Sequence, residues 1–196
     1  MIKQLYPAFQ KWAERGTVWL ISDPHFDDED VYKIFSNRPD KWEIINNINS
    51  RVGSNDTIIF LGDIGCPEYI SFYIRKKAHK VLIMGNHDTK NRSWYENFFD
   101  EVYDGPVMIA KNVLLSHEPI LLPYIFNIHG HVHDPHYHNA ANELNVCIEA
   151  LDKPYPINLN RMFKRGAFSK MEAKDIHRAT IDKATERKKK RVAARG

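Results

Sequence analysis

Residues 57–88 read TIIFLGDIGCPEYISFYIRKKAHKVLIMGNHD, and this stretch decides the fold. It opens on a short β-branched run, Thr57 to Leu61, and closes on another, Val81 to Met84. Glycine ends both runs. Between them, Pro67 to Ala78 reads as a helix with proline in the first turn, where its missing N–H costs little. Strand, helix, strand in this order builds a parallel sheet. Working outward, Val18 to Ser22 upstream reads as another strand. Val107 to Ala110, Val113 to Ser116, Ile125 to His129 and Leu144 to Glu149 continue the pattern downstream. Lys111-Asn112 marks a hairpin turn between two of them. Asp40 to Val52 has helical spacing of apolar residues, with Asp40 as N-cap, and Asn91 to Phe99 reads as a shorter helix. A β-α-β start with a strand-rich second half predicts an α/β fold of mixed sheets with helices outside.

Composition bounds the rest. The 196 residues suit a single core, and 43% hydrophobic content excludes disorder for most of the chain. No apolar run approaches the roughly 18–20 residues that span a bilayer. The N-terminal MIKQLYPAFQKW lacks the continuous apolar core of a secretory signal. Two cysteines, Cys66 and Cys147, exclude a disulfide framework and fit a reducing, cytoplasmic setting. The net charge of +3 averages unlike parts. Residues 161–196 hold 13 Lys/Arg against 4 Asp/Glu, net +9, so residues 1–160 hold 15 against 21, net −6. The expected division is a body over 1–165 and a basic helix and tail over 166–196. Lys170 to Val192 reads as a charged helix, its last part frayed. The run Arg187 to Arg191 suits nonspecific RNA or DNA phosphate contact; the plainer reading is a solvated end.

Chemistry-bearing residues fall just after strand ends. Asp23-Pro24-His25 follows the first strand, Gly62-Asp63 the second and Gly85-Asn86-His87-Asp88 the third. His117 follows Val113 to Ser116, and Gly130-His131-Val132-His133 follows Ile125 to His129. Loops beyond strand carboxyl ends converge on a crevice, so these donors gather on one rim. Oxygen and imidazole ligands suit Mn²⁺, Fe²⁺, Zn²⁺ or Ni²⁺. An extended Asp23-x-His25 pair points to one side and reaches one metal. His131 and His133 share that spacing, or serve neighbouring metals if the loop turns. Gly62, Gly85 and Gly130 permit tight turns there.

D-x-H, G-D, G-N-H-D, H and G-H-x-H, in this order from Asp23 to His133, resemble the calcineurin-like metallophosphoesterases. FSNRPDKW, LGDIG, LSHEPI and NVCIEALDKPYPINLN are similar to the small single-domain bacterial and phage members, over residues 17–160. The resemblance implies a four-layer α/β/β/α sandwich, two mixed sheets flanked by helices. It implies a dinuclear, metal-dependent phosphoesterase. Asp23, His25 and His133 would bind one divalent ion; Asn86, His117 and His131 would bind the other; Asp63 would bridge both. The ions, Mn²⁺ foremost, would lie about 3.5–4 Å apart and share the hydroxide that attacks phosphorus. His87 would serve as general acid or charge stabiliser, with Asn86 also facing substrate.

Two positions depart from the protein-phosphatase pattern G-D-x-x-D-R-G: Cys66 stands for the second aspartate and Pro67 for the phosphate-binding arginine. Arg38 is the candidate replacement for that arginine, and Asp88 the nearest candidate carboxylate for His87. A diester bears one negative charge and needs less cationic clamping. The expected activity is therefore phosphodiester hydrolysis, on small diesters such as 2′,3′-cyclic nucleotides or RNA-end cyclic phosphates. A phosphomonoesterase on a nucleotide or metabolite, and a nuclease or nucleic-acid-binding protein using the basic tail, are the alternatives. His129, His136 and His138 read as loop or surface residues, His79 and His177 as solvated, and Cys66 as a small buried loop residue without a base. Asp27 to Asp30 read as a solvated run, Asp27 or Asp28 capping a helix.

Overall fold

The structure, a computed structural model, describes residues 2–168 together with Ile181 and Thr185. The expected charged helix and tail otherwise lie outside the described residues, as does His177. The apolar runs become strands because both their faces find something to bury against. The elements in order are α1 (Gln10–Arg15), β1 (Val18–Ile21), α2 (Glu29–Ile34), α3 (Lys41–Arg51), β2 (Thr57–Phe60), α4 (Glu68–Tyr73) and β3 (His79–Ile83). Then come α5 (Arg92–Tyr95), β4 (Glu101–Tyr103), β5 (Val107–Ala110), β6 (Val113–Leu115), β7 (Phe126–His129), β8 (Glu143–Asn145), β9 (Ile157–Asn158) and α6 (Leu159–Lys164).

They form two mixed sheets. One runs β4-β3-β2-β1-β9, with β9 alone antiparallel. The other runs β5-β6-β7-β8, with β5 alone antiparallel. Val18, Leu20, Ile59, Leu61, Val81 and Ile83 of the first sheet meet Ile109, Val113, Leu115 and Ile128 of the second in one core. The alternate residues Ile21, Ile58, Phe60 and Leu82 pack instead under Ile44, Ile45, Ile48 and Ile70 of α3 and α4. Burial on both faces explains why β2 is apolar along its length rather than alternating. The fold is thus the expected α/β one, two mixed sheets with flanking helices. Among the described residues, no helix is long and apolar enough to cross a membrane.

Local differences from the sequence reading have local causes. Asp40 caps α3 as expected, accepting from the amides of Trp42 and Glu43. α4 stops at Tyr73, short of Ala78, because the Asn49 side chain takes over its end. Asn49 Nδ2 donates to Tyr73 O at 2.7 Å, and Asn49 Oδ1 accepts from Arg75 N at 3.0 Å. The run Leu144–Glu149 is strand only to Asn145, whose Oδ1 accepts from Cys147 N at 2.9 Å and turns the chain into a 3-10 turn at Ile148–Ala150. His129 is not a loop histidine. It is fully buried on β7, its ring against Tyr137, with Nδ1–H donated to Gly130 O at 2.8 Å. His79 is also not solvated: Nε2 lies 2.6 Å from Glu101 Oε1. His136 and His138 are exposed or nearly so, as expected.

Ile59 is fully buried between the sheets. Ile59→Ala should lower unfolding free energy by about 2–5 kcal/mol, read from the denaturant midpoint at unchanged m-value. A loss under about 1 kcal/mol would mean that this layer is not tightly packed.

Candidate metal centre

The parallel strands β1, β2 and β3 end on one rim, and β6 and β7 of the second sheet end beside it, so all five loops meet there. The backbone at this rim is unusual. Asp23 (φ 58°), His25 (φ 41°), Asp63 (φ 53°) and His131 (φ 67°) all adopt the left-handed region without being glycine. Each such residue costs about 1–3 kcal/mol unless its surroundings over-determine it. Here they do. Asp23 N donates to Gly62 O at 3.2 Å, His25 N to Asp63 O at 3.0 Å and His131 N to Asp23 Oδ2 at 2.9 Å. The extended Asp23-x-His25 geometry expected from the sequence is therefore replaced by a curled loop that reaches the same convergence. Gly130 has no side chain because a Cβ there would overlap Ser22 Oγ and Asp23 Oδ2.

Three groups of donor atoms result among the described residues, Asp23–His25–His133, Asp63–His117–His131 and, behind the first, His133–Cys147–Glu149. In the first, His133 Nε2 lies 3.3 Å from Asp23 Oδ1. In the second, His117 Nε2 lies 2.8 Å from Asn86 Oδ1 and 3.1 Å from His131 Nδ1, and Asn86 Oδ1 lies 3.0 Å from His131 Nδ1. Asp63 Oδ2 faces both groups, 3.6 Å from His25 Nε2 and 3.2 Å from His117 Nε2. The turning loop sends His131 and His133 to different groups.

The donor set fits divalent cations. His25 Nδ1 is held by Asp28 Oδ2 at 2.9 Å and His117 Nδ1 by Leu61 O at 2.8 Å. Those acceptors keep the proton on Nδ1, which turns the Nε2 lone pair of each ring inward. Lone pairs of nitrogen and oxygen thus face each other across the centre, and only a proton or a metal ion can sit among them. Asp23 Oδ1 and His25 Nε2 are buried without a hydrogen bond. Such atoms are costly unless something positive takes their place.

Charge tells the same story. Burial opposes protonation of His117, but Asp63 and Asp23 outweigh it and push its pKa up to about 8. Burial likewise opposes protonation of His133, yet Asp23 and Glu149 push it up to about 9. Asp63, despite its own burial, is held below the ordinary carboxylate range by His117.

His87 is exposed, its ring centroid 5.4 Å from that of His25, and its amide donates to Asp63 Oδ1 at 2.9 Å. Its backbone is pinned while its ring faces the cleft. Asp88 is not its partner. The Asp88 carboxylate accepts from Asp63 N, Gly85 N and Ile64 N at 2.9, 2.8 and 3.1 Å, and so ties the Gly62-Asp63 loop to the Gly85-Asn86 loop. Cys66 donates to Glu68; burial and that carboxylate push its thiol up to about 11, which excludes a ready nucleophile.

Arg38 is corrected. Its side chain has no exposure, so it offers nothing to a phosphate. Instead Nη1 pairs with Glu149, and Nη2 donates to Pro24 O at 2.7 Å and to Asp23 O. The sequence reading missed Glu149 and the second task of Asp28, which both caps α2 and holds His25. An acidic residue ending the apolar run Val146-Cys147-Ile148 was the available signal.

Two outcomes follow from this geometry. Arg38→Met should destabilise the fold by about 3–5 kcal/mol, because it removes the buried cation from Glu149 Oε1 and the donor from Asp23 O and Pro24 O. A weaker substrate KM at unchanged stability would restore the clamp reading. Without metal, the stabilisation that His117 and His133 gain by charging is complete below about pH 6.5 and is lost as pH rises through 8 and 9. Metal uptake at about pH 7 should therefore release protons and strengthen toward about pH 9, read by calorimetry in buffers of different ionisation enthalpy. Uptake without proton release would contradict the assignment.

The calcineurin-like phosphoesterase family model matches residues 16–183. No curated protein matches the chain. Among solved structures, an Aquifex aeolicus protein of unknown function is 25% identical with a TM-score of 0.61, over 76% of this chain and 98% of that one. Nuclease MPE from Pseudomonas putida is 19% identical with a TM-score of 0.37, over 62% of each chain.

Proposed function

The chain belongs to the calcineurin-like phosphoesterase family, and from that premise we propose that it is a dinuclear metal-dependent phosphodiesterase acting on small diesters. Asp23, His25 and His133 would hold one ion, Asn86, His117 and His131 the other, and Asp63 both. When bound, the ions would supply an acidified water as nucleophile and positive charge against the phosphoryl oxygens. Mn²⁺, Fe²⁺ and Zn²⁺ all suit these nitrogen and oxygen donors. Asn86 and His87 line the substrate side. His87 holds a proton at a ring nitrogen for the leaving oxygen, and its exposed ring can meet an oxygen arriving from the cleft.

One observation carries the preference for diesters: the cleft has no free cation of its own among the described residues. Arg38 is walled off. The open face before His25 and His87 is lined by Asp27, Asp28, Glu29 and Asp30, and its one lysine, Lys33, is paired with Asp30 at 2.9 Å. Lys41 is likewise taken by Asp27, so a dianionic monoester would find no spare cation there and would depend on the metals for neutralisation. A diester with one charge meets less repulsion. Cyclic nucleotides and RNA-end cyclic phosphates are the diesters that we put first, because they are compact and need no large grip.

With Mn²⁺, kcat/KM for bis-p-nitrophenyl phosphate should exceed that for p-nitrophenyl phosphate. The reverse order would make it a monoesterase, and activity on neither ester would sink the proposal. His87→Ala should lower kcat by about 10²–10⁴-fold while two ions per chain remain, measured by elemental analysis. Loss of metal from that variant would make His87 a ligand instead.

A further inference from the structure

Glu149 is a buried carboxylate that the reaction does not use directly, yet both its oxygens are committed. Oε1 takes Nη1 of Arg38. Oε2 lies 2.9 Å from His133 Nδ1 and accepts the Cys147 thiol at 3.0 Å. The same Arg38 holds the other loop of the first donor group, through Asp23 O and, at 2.7 Å, Pro24 O. One ion pair therefore joins the loop carrying Asp23 and His25 to the ring of His133. On its other side, the His133 ring stacks on Phe35 with centroids 5.2 Å apart and planes 17° apart. The ring lies between the Glu149 carboxylate, an ion-pair contact outside hydrogen-bond geometry, and the face of Phe35. The second group has no such buried ion pair behind it among the described residues: His117 Nδ1 meets Leu61 O at 2.8 Å and Asp23 Oδ1 at 4.0 Å, and His131 is exposed.

We propose that the buried Arg38–Glu149 pair is a positioning device for the first metal site alone, fixing the His133 tautomer so that Nε2 presents its lone pair beside Asp23. This rests on reading Asp23, His25 and His133 as ligands of one ion. The physical reason is simple. A neutral imidazole has one N–H, and the ring nitrogen facing a carboxylate keeps it. With the Glu149 carboxylate 2.9 Å from Nδ1, its charge favours the proton on that nitrogen and leaves Nε2 for the cation. Arg38 holds Glu149 ionised and in place, and its Nη2 sets the loop height of Asp23 against that nitrogen. Glu149 and Arg38 touch neither substrate nor reacting atoms; they act through His133 and Asp23.

The test is Glu149→Gln in the full chain, labelled with ¹⁵N-histidine and titrated with Zn²⁺. Glutamine offers one acceptor oxygen where Arg38 and His133 need two. The imidazole signals of His25 and His133 report the first site, and those of His117 and His131 the second. The variant should need about 10–100-fold more Zn²⁺ to saturate His25 and His133, while His117 and His131 titrate as in the unaltered chain. A structural role alone would weaken both sites together, and that result, or unchanged affinity at His25 and His133, overturns the proposal. If no histidine of the unaltered chain responds to Zn²⁺, the metal reading itself has failed, which is seen before any variant is compared. Should Glu149→Gln not give a native spectrum, Glu149→Asp keeps a charge for Arg38 but withdraws the oxygen from His133, and the same selective loss is expected.

Discussion

The rim of this fold is organised around crowded lone pairs. Asp63 Oδ2 looks toward His25 Nε2 on one side and His117 Nε2 on the other, at 3.6 and 3.2 Å. Both rings give their protons to acceptors behind them, so their inward nitrogens are electron-rich. Anionic and lone-pair atoms do not gather unaided in a buried place, because desolvation and mutual repulsion both oppose it. What holds them is the scaffold, and what relieves them is positive charge. Without metal, that charge is a pair of protons on His117 and His133; with metal, the protons leave.

The scaffold meets this demand through backbone rather than side-chain mass. Four donor residues sit in the left-handed region. Their strain is absorbed by hydrogen bonds between loops: Asp23 to Gly62, His25 to Asp63, His131 to Asp23. Asp88 and Arg38 serve the same end from behind, each binding backbone groups of site loops with a buried side chain. By residue type, both suit a part in the chemistry. Their burial assigns them to holding the participants still. Without Arg38 at the surface, the cleft has no fixed phosphate clamp among the described residues; on the proposed reading, substrate charge is met by the ions themselves.

Much of this is legible in the sequence, and for a physical reason. Strands buried on both faces must be continuous apolar runs, so Thr57 to Phe60 and Val113 to Leu115 stand out. A polar donor immediately after such a run sits at a strand's carboxyl end, where the loops of a parallel sheet converge. The ligand-type residues are therefore readable in order. The short elements are not: β4, β9, α1 and α6 span only two to six residues, too few to show a period. Partnerships across the chain are also hidden. Nothing local to Arg38 says that its guanidinium meets Glu149, 111 residues away, rather than a phosphate. Nor does a helix pattern at Pro67 to Ala78 reveal that Asn49 will end it. The Lys170 to Val192 helix, by contrast, rests on charge alone, and apart from Ile181 and Thr185 it lies outside the described residues.

On the proposed reading, Asp63 stands between two cations. The most direct measurement is anomalous scattering from a crystal of the full chain grown with Mn²⁺. Two peaks are predicted, one among Asp23, His25 and His133 and one among Asn86, His117 and His131, with Asp63 Oδ2 between them. A single peak, or two peaks with Asp63 turned away from one of them, would contradict that placement.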